Sequence, residues 1–177
     1  MTQHLKNDFH TIVIGAGPGG LACATLLAQH GKEVLLLERN REVGPKVCAG
    51  GITQAGLANR LPAELIERSF LHQSIFSGWQ EITIEAPSPI VSTVNRQRLG
   101  QWMLRQALEA GVQVKTNTRA LGLGEKEVRT AAGRFGFRYL VGADGSSSLV
   151  RQTLGLPSTW LGTGLHFEMK GEFDQME

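Results

Sequence analysis

The residues best suited to chemistry form a glycine-rich segment, Gly15-Ala16-Gly17-Pro18-Gly19-Gly20, between an apolar run and a helical pattern. This spacing fits G-x-G-x-x-G, in which glycines let the backbone turn and approach a diphosphate while a helix N-terminus supplies amide donors. Glu38 follows Gly20 by 18 residues, near the ~20 at which a carboxylate binds ribose hydroxyls. We therefore predict a dinucleotide site made by the glycines and Glu38, and the segment alone leaves NAD and FAD open.

A second acidic residue stands between glycines. Asp144 lies between Gly142 and Gly145, directly after the apolar run YLV. A carboxylate at that strand end can accept hydrogen bonds from ribityl or ribose hydroxyls. The alternative is an ordinary Asp-Gly turn.

The stretch VGPKVCAGGIT places Cys48 in glycine-rich backbone. Its thiol could be redox-active, could bind a metal, or could belong to a small residue in a loop that approaches a ligand. The other cysteine, Cys23, is too distant in sequence for a metal-binding pair. We predict no metal site, and the redox and small-residue interpretations stay open.

The composition limits the class of protein. The chain has 177 residues, a formal net charge of +2 and 22 glycines, which is typical of a globular protein with one sizeable core. Basic residues form no run of the kind that binds nucleic acid. Two cysteines and a polar N-terminus without a signal-peptide pattern favour a reduced, cytoplasmic setting.

The elements that must position these residues follow from the apolar pattern. A strand at 11–15, a helix after Gly20 and a strand at 32–37 make a βαβ unit, and hence a parallel sheet. We predict an antiparallel excursion at about 70–95, a helix that begins at Arg96 and a strand at 112–116. The next predicted elements are short strands at 119–123, 127–131 and 134–137, a separate strand at YLVG and a serine-capped helix. A short helix at 53–60 and a strand at 163–171 complete the predicted elements. The fold class is thus α/β, a Rossmann-like domain with a parallel sheet, a β-meander and an antiparallel insertion.

Five segments in this order resemble one family: GAGPGG, the Glu38-Arg39 pair, PKVCAGGIT, VNRQRL and YLVGADGSSSLVR. Together they are similar to the geranylgeranyl reductase family of FAD-dependent oxidoreductases, within the flavoprotein group that includes p-hydroxybenzoate hydroxylase. PKVCAGG is the most specific segment, since aromatic hydroxylases usually lack a cysteine followed by glycines there. Two departures are Leu99-Gly100 in place of the family's Phe-Asp, and the lack of the family's late glycine–aspartate motif.

The resemblance implies FAD as cofactor, with NAD(P)H or ferredoxin as electron donor, and reduction of C=C bonds in an isoprenoid or related lipid. It assigns the diphosphate to Gly15, Gly17, Gly19 and Gly20, and the adenosine ribose to Glu38. The other implied cofactor contacts are Arg39 beside the adenine, Cys48, Ala49 and Gly51 on the flavin side, Arg96 at the phosphate or ribityl region, Ala120 at the adenine, and Asp144. Cys48 is also the candidate catalytic residue.

The resemblance further implies an FAD-binding domain at 1–160 and the start of an incomplete substrate domain at 161–177. We expect the chain to be an N-terminal piece of a longer protein and to bind FAD weakly by itself. Alternatives are an FAD-dependent aromatic monooxygenase and a non-catalytic nucleotide-binding fragment. An isoprenoid or other small molecule is the expected partner, nucleic acid is not, and association with a membrane surface stays open.

Overall fold

The structure, a computed structural model, describes residues 8–53, 61–157, 162–165 and 167. It begins with the strand β1 (Asp8–Ile14), the helix α1 (Pro18–Gln29) and the strand β2 (Val34–Leu37). β1 and β2 pair in parallel, and their apolar residues are nearly all buried. The predicted βαβ unit is confirmed.

The later strands are β3 (Gly51–Thr53), β4 (Ile66–Phe70), β5 (His72–Phe76), β6 (Glu81–Glu85), β7 (Val91–Val94), β8 (Gln113–Lys115), β9 (Ala120–Leu123), β10 (Glu127–Thr130) and β11 (Gly133–Gly142). The later helices are a short 3₁₀ turn (Ala63–Leu65), α2 (Arg96–Glu109) and α3 (Leu149–Thr153). Side chains cap the N-termini of the last two helices. The Asn95 side chain accepts hydrogen bonds from two backbone amides of α2, and the Ser148 hydroxyl accepts one from a backbone amide of α3.

Six of the described strands form one sheet in the order β8-β2-β1-β11-β10-β9. The first four run parallel, and β10 and β9 add an antiparallel meander at one edge. This arrangement confirms the predicted α/β class with a Rossmann-like parallel sheet and a β-meander. The meander extends the same sheet at the edge formed by β11.

The prediction of two separate strands at 134–137 and YLVG was wrong. One strand, β11, covers both segments because its first residues pair with β10 and its later residues pair with β1. Gly136 lies opposite Asp8 of β1 and opposite Glu127 of β10. The pairing passes from β10 to β1 at Gly136, and pairing with β1 continues the strand through the polar Arg138.

The predicted antiparallel insertion is present, but it begins at Ile66. The earlier strand β3 also joins it by pairing with β7. β3 and β4 pair on either side of β7, and β5 and β6 form a separate two-stranded hairpin. Thr53 pairs with Val91 in this sheet, so it is not helical as predicted. The rest of the predicted helix, 54–60, lies outside the described residues.

The core lies on both faces of the six-stranded sheet because successive strand residues point to opposite faces. Val13 and Leu36 face α1 and α2, where they pack with Leu21 and Ala107. The other face buries a cluster that contains Ile12, Ile14, Leu35, Leu37, Val128 and Phe135. The parallel strands are therefore buried on both sides, as parallel strands usually are.

The end of the chain is described only in part. Residues 162–165 and 167 have no regular secondary structure, so within them the predicted strand at 163–171 is absent, and its other residues lie outside the described ranges. Among the helices that the structure describes, none has the length and apolar character needed to span a bilayer.

Candidate functional site

A cleft of about 630 Å³ lies at the carboxyl ends of the central parallel strands. Ile14 and Leu37, the last residues of β1 and β2, line it together with Ala143, which follows β11. The first residues of α2 close another side. Ligands of open α/β sheets bind at this edge, where adjacent parallel strands end and their connections diverge.

The glycine turn after β1 contains two kinds of glycine. Gly15 has φ +103°, and a side chain there would run into the carbonyl of Ala143, whereas one at Gly20 would run into the carbonyl of Gly15. Packing of the protein itself therefore requires these two glycines. Gly17 has no such constraint: its φ is −69°, and a Cβ there would have no atom within 4 Å.

Gly17 lines the cleft and caps the N-terminus of α1. The first amides of a helix have no partner within the helix, and the helix dipole favours a negative charge near them. The open space beside Gly17 thus lies where a phosphate would approach these amides. Gly19, in the first turn of α1, also has open space around it, although it does not line the cleft.

Glu38 is buried, with 8% of its surface exposed, and joins the two segments that follow β1 and β2. Its Oε2 accepts a hydrogen bond from the amide of Ala16 at 2.7 Å, and its Oε1 accepts one from the amide of Asn40 at 2.8 Å. Each oxygen keeps a second lone pair for a ribose hydroxyl. The carboxylate therefore fixes the rim of the cleft and can still accept hydrogen bonds from a ligand.

The Asp144 carboxylate lines the cleft but is bound by the protein itself. Its Oδ1 accepts a hydrogen bond from the hydroxyl of Ser148 at 2.5 Å, and its Oδ2 accepts one from the amide of Leu149 at 2.6 Å. These bonds fix the turn into α3. Asp144 thus positions the start of α3 at the edge of the cleft.

The cleft also contains cations whose charges are not neutralised. Arg39, Lys46, Arg96 and Arg119 line it, and in the described part of the chain none of the four side chains has a hydrogen bond or ion pair. Arg96 Nε is buried and has no hydrogen-bond partner there. A buried donor without a partner is costly, and an anion in the cleft would provide one.

The predicted site residues divide into two groups. Gly15, Gly17, Glu38, Arg39, Arg96, Ala120 and Asp144 line the cleft. Of the described residues that do not line it, Gly19 and Gly20 lie in the adjacent turn of α1, and Cys48, Ala49 and Gly51 lie farther along the loop that follows β2.

The Cys48 thiol is exposed, and its Sγ accepts a hydrogen bond from the amide of Gly50 at 3.5 Å. Gly51 belongs to β3, where it pairs with Thr93. A flavin-side role for these residues stays a prediction.

Sequence reasoning missed Lys46 and Arg119 as lining residues. Arg119 directly precedes the predicted Ala120, and Lys46 lies in the loop that was singled out for its cysteine. A search for cations beside the predicted phosphate contacts would have found both, since anion sites combine helix amides with basic side chains.

The donors around the cleft fit the diphosphate of a dinucleotide, and the comparison with known proteins gives the type of dinucleotide. Residues 8–170 match the model of the FAD binding domain family. The chain belongs to this family. The open space at Gly17 and the unpartnered donor at Arg96 are features of this chain that fit FAD.

Named relatives confirm the predicted resemblance to geranylgeranyl reductases. The chain is 32% identical over 169 residues to digeranylgeranylglycerophospholipid reductase 1 of Methanopyrus kandleri, covering 84% of this chain and 43% of the relative. It is 30% identical to an uncharacterized protein in the nifH2 5' region of Methanosarcina barkeri, covering 86% of this chain and 90% of that one. The chain thus spans less than half of the reductase but nearly all of the second relative.

Solved structures share the fold. A geranylgeranyl bacteriochlorophyll reductase-like protein of Thermoplasma acidophilum superposes with a TM-score of 0.68 at 21% identity, covering 78% of this chain and 40% of that chain. Pseudomonas aeruginosa PqsL superposes with a TM-score of 0.75 at 22% identity, covering 89% of this chain and 48% of that chain. At this level of identity the two structures support the architecture only.

Proposed function

We propose that the cleft binds FAD, and that the protein takes part in reduction of C=C bonds in an isoprenoid or related lipid. FAD binding is supported by one observation: the acidic groups of the cleft have hydrogen-bond partners within the protein, whereas a basic group does not. The three carboxylates that line the cleft, those of Glu38, Glu42 and Asp144, all accept hydrogen bonds from donors of the protein. Arg96 Nε, in contrast, has no partner among the described residues. A negatively charged diphosphate is the ligand that this imbalance favours.

In this proposal each residue has a defined part. The amides at the start of α1 and the open side of Gly17 receive the diphosphate, and Arg96 donates a hydrogen bond to it. Glu38 accepts hydrogen bonds from the adenosine ribose, with Arg39, Arg119 and Ala120 on the same side of the cleft. When bound, FAD would supply hydride transfer, which amino-acid side chains do not provide.

The lipid substrate is proposed from the names of the reductase relatives, which the chain matches over 43% of their length in the example above. NAD(P)H or ferredoxin is the proposed electron donor, and association with a membrane surface stays a prediction. A second candidate is nucleotide binding without catalysis, which the limited span of the match supports.

Cofactor binding is tested by titrating FAD into the purified chain and recording the visible spectrum and the flavin fluorescence. We expect Gly17→Val to weaken FAD affinity by about 100-fold, because the valine side chain would occupy the phosphate space, a loss of about 2.7 kcal/mol. Gly78→Val is the matched control, since Gly78 also has open space around it and lies outside the cleft. Equal FAD affinities of the two variants would overturn the assignment of the turn at residues 15–20 to the diphosphate.

The reductase activity needs a separate experiment. The FAD-loaded protein is reduced chemically under anaerobic conditions and mixed with a lipid that carries geranylgeranyl chains. Mass spectrometry should then show addition of hydrogen to the chains together with reoxidation of the flavin. FAD binding without any such product would favour the second candidate.

A further inference from the structure

The loop of residues 42–46 lies across the first half of α2 at unusually close range. Gly44 has φ +117°, and a Cβ added there would lie 2.7 Å from the carbonyl oxygen of Gln97. A Cβ on Gly100 would collide with the Cα of Gly44. The absence of side chains at both positions lets the loop and the helix touch through their backbones.

Two glutamines one helical turn apart fasten the two loop residues that precede Gly44. Gln101 Nε2 donates a hydrogen bond to the carbonyl of Val43 at 2.6 Å, and Gln97 Nε2 donates one to Glu42 Oε1, also at 2.6 Å. Val43 is only 2% exposed and packs in the core beside Ala107 of the same helix. Gln101 therefore satisfies a carbonyl near the core, where losing the bond would be costly.

The fastened loop and the start of α2 together present two cations to the cleft. Lys46 follows the contact at Gly44 by two residues, and Arg96 is the first residue of α2. Both line the cleft, whereas Gln97 and Gln101 do not. The position of Lys46 relative to Arg96 thus depends on two side chains that do not themselves line the cleft, although the loop residues that they hold, Glu42 and Val43, do.

We propose that Gln101 is a positioning residue for the cofactor: by binding the carbonyl of Val43 it holds the 42–46 loop on α2, so that Lys46 and Arg96 act on the same phosphate region. This inference rests on the proposed binding of FAD. Gln101 touches no part of the cofactor, and its effect on affinity is transmitted through Lys46.

The first test does not require a cofactor. Gln101→Leu keeps most of the side-chain volume but removes the donor. Gln106→Leu is the control, at an exposed position of the same helix, where the side-chain amide bonds only to Glu109 among the residues that the structure describes. We expect limited trypsin digestion of Gln101→Leu to release the peptide that ends at Lys46 about tenfold faster than in wild type, since freeing one such hydrogen bond shifts a local equilibrium by about this factor. An unchanged rate would overturn the proposal.

The second test measures FAD affinity in a double-mutant cycle. We expect Gln101→Leu and Lys46→Gln each to weaken FAD binding by about tenfold and the double variant to be little weaker than either one, because both changes remove the same contact. The affinity of Gln101→Leu should also decrease less with added salt than that of wild type, because a screened ion contact is already lost. A loss of affinity that is additive in the double variant, or an unchanged salt dependence, would show that Gln101 acts on the fold and not through Lys46.

The outcomes separate the two proposals. Faster digestion with unchanged FAD affinity overturns the positioning role while FAD binding stands. If wild type does not bind FAD at any salt concentration, the proposed function fails and the positioning role fails with it, whatever the digestion rate.

Discussion

The segments that follow β1 and β2 meet in one cleft but are fixed in different ways. The turn at residues 15–20 is fixed by backbone: Gly15 donates a hydrogen bond to the carbonyl of Leu37, and Ala143 donates one to the carbonyl of Ile14, each at 2.8 Å. The loop at 42–46 is fixed by the side chains of Gln97 and Gln101. Changes at the two packed glycines of the turn, Gly15 and Gly20, should therefore cost stability, and changes in the supports of the loop should mainly cost affinity.

The largest expected effect concerns Gly15. Gly15→Ala adds a side chain that collides with the Ala143 carbonyl at a φ of +103°, so we expect the free energy of unfolding to fall by about 3 kcal/mol or more. Urea denaturation followed by circular dichroism measures this loss. Gly78→Ala, at a glycine with open space and no positive φ, is the control. If Gly15→Ala were as stable as wild type, the turn would not be fixed by backbone packing.

A smaller effect is expected at Glu38, which joins the two segments. Glu38→Gln replaces one acceptor oxygen by an amide group, so the amide of either Ala16 or Asn40 loses its partner. We expect a loss of about 2 kcal/mol in the free energy of unfolding together with weaker FAD binding. Glu81→Gln, on an exposed strand of the insertion, should change neither quantity. A stable variant with reduced affinity would assign Glu38 to the ligand alone.

The smallest effect is expected at Cys48, which follows the part of the loop, residues 42–46, that Gln97 and Gln101 hold on α2. The thiol is exposed and lies outside the lining of the cleft within the described chain, so Cys48→Ser should leave stability and FAD affinity unchanged. A chemical role of the thiol would appear as lost turnover in the reductase assay without a change in affinity. Weaker FAD binding in this variant would instead place the loop in contact with the cofactor.

The sequence was sufficient for the parts of the site that local pattern determines. The glycine spacing, the apolar runs of β1 and β2 and the position of Glu38 are all encoded within 31 residues, from Asp8 to Glu38. Short-range periodicity and turn chemistry act at this scale, so the βαβ unit was predictable.

Other features depend on contacts between distant parts of the chain. Gln101 reaches a carbonyl 58 residues earlier, and Gln97 reaches a carboxylate 55 residues earlier. The single strand β11 exists because β1 and β10 pair along it. A glutamine on a helix or an arginine in a strand carries no local sign of such partners, so this part of the site required the structure.

The central position of β1 has a consequence for how ligand binding affects the stability of the folded protein. The turn at residues 15–20 is continuous with a strand that is paired on both sides and buried on both faces, so opening the turn would disrupt most of the sheet. A ligand bound there is then coupled to unfolding of the whole sheet and not to a local opening, and it stabilises the folded state by mass action. Free cofactor at concentrations above its dissociation constant would therefore raise the folded fraction of the protein.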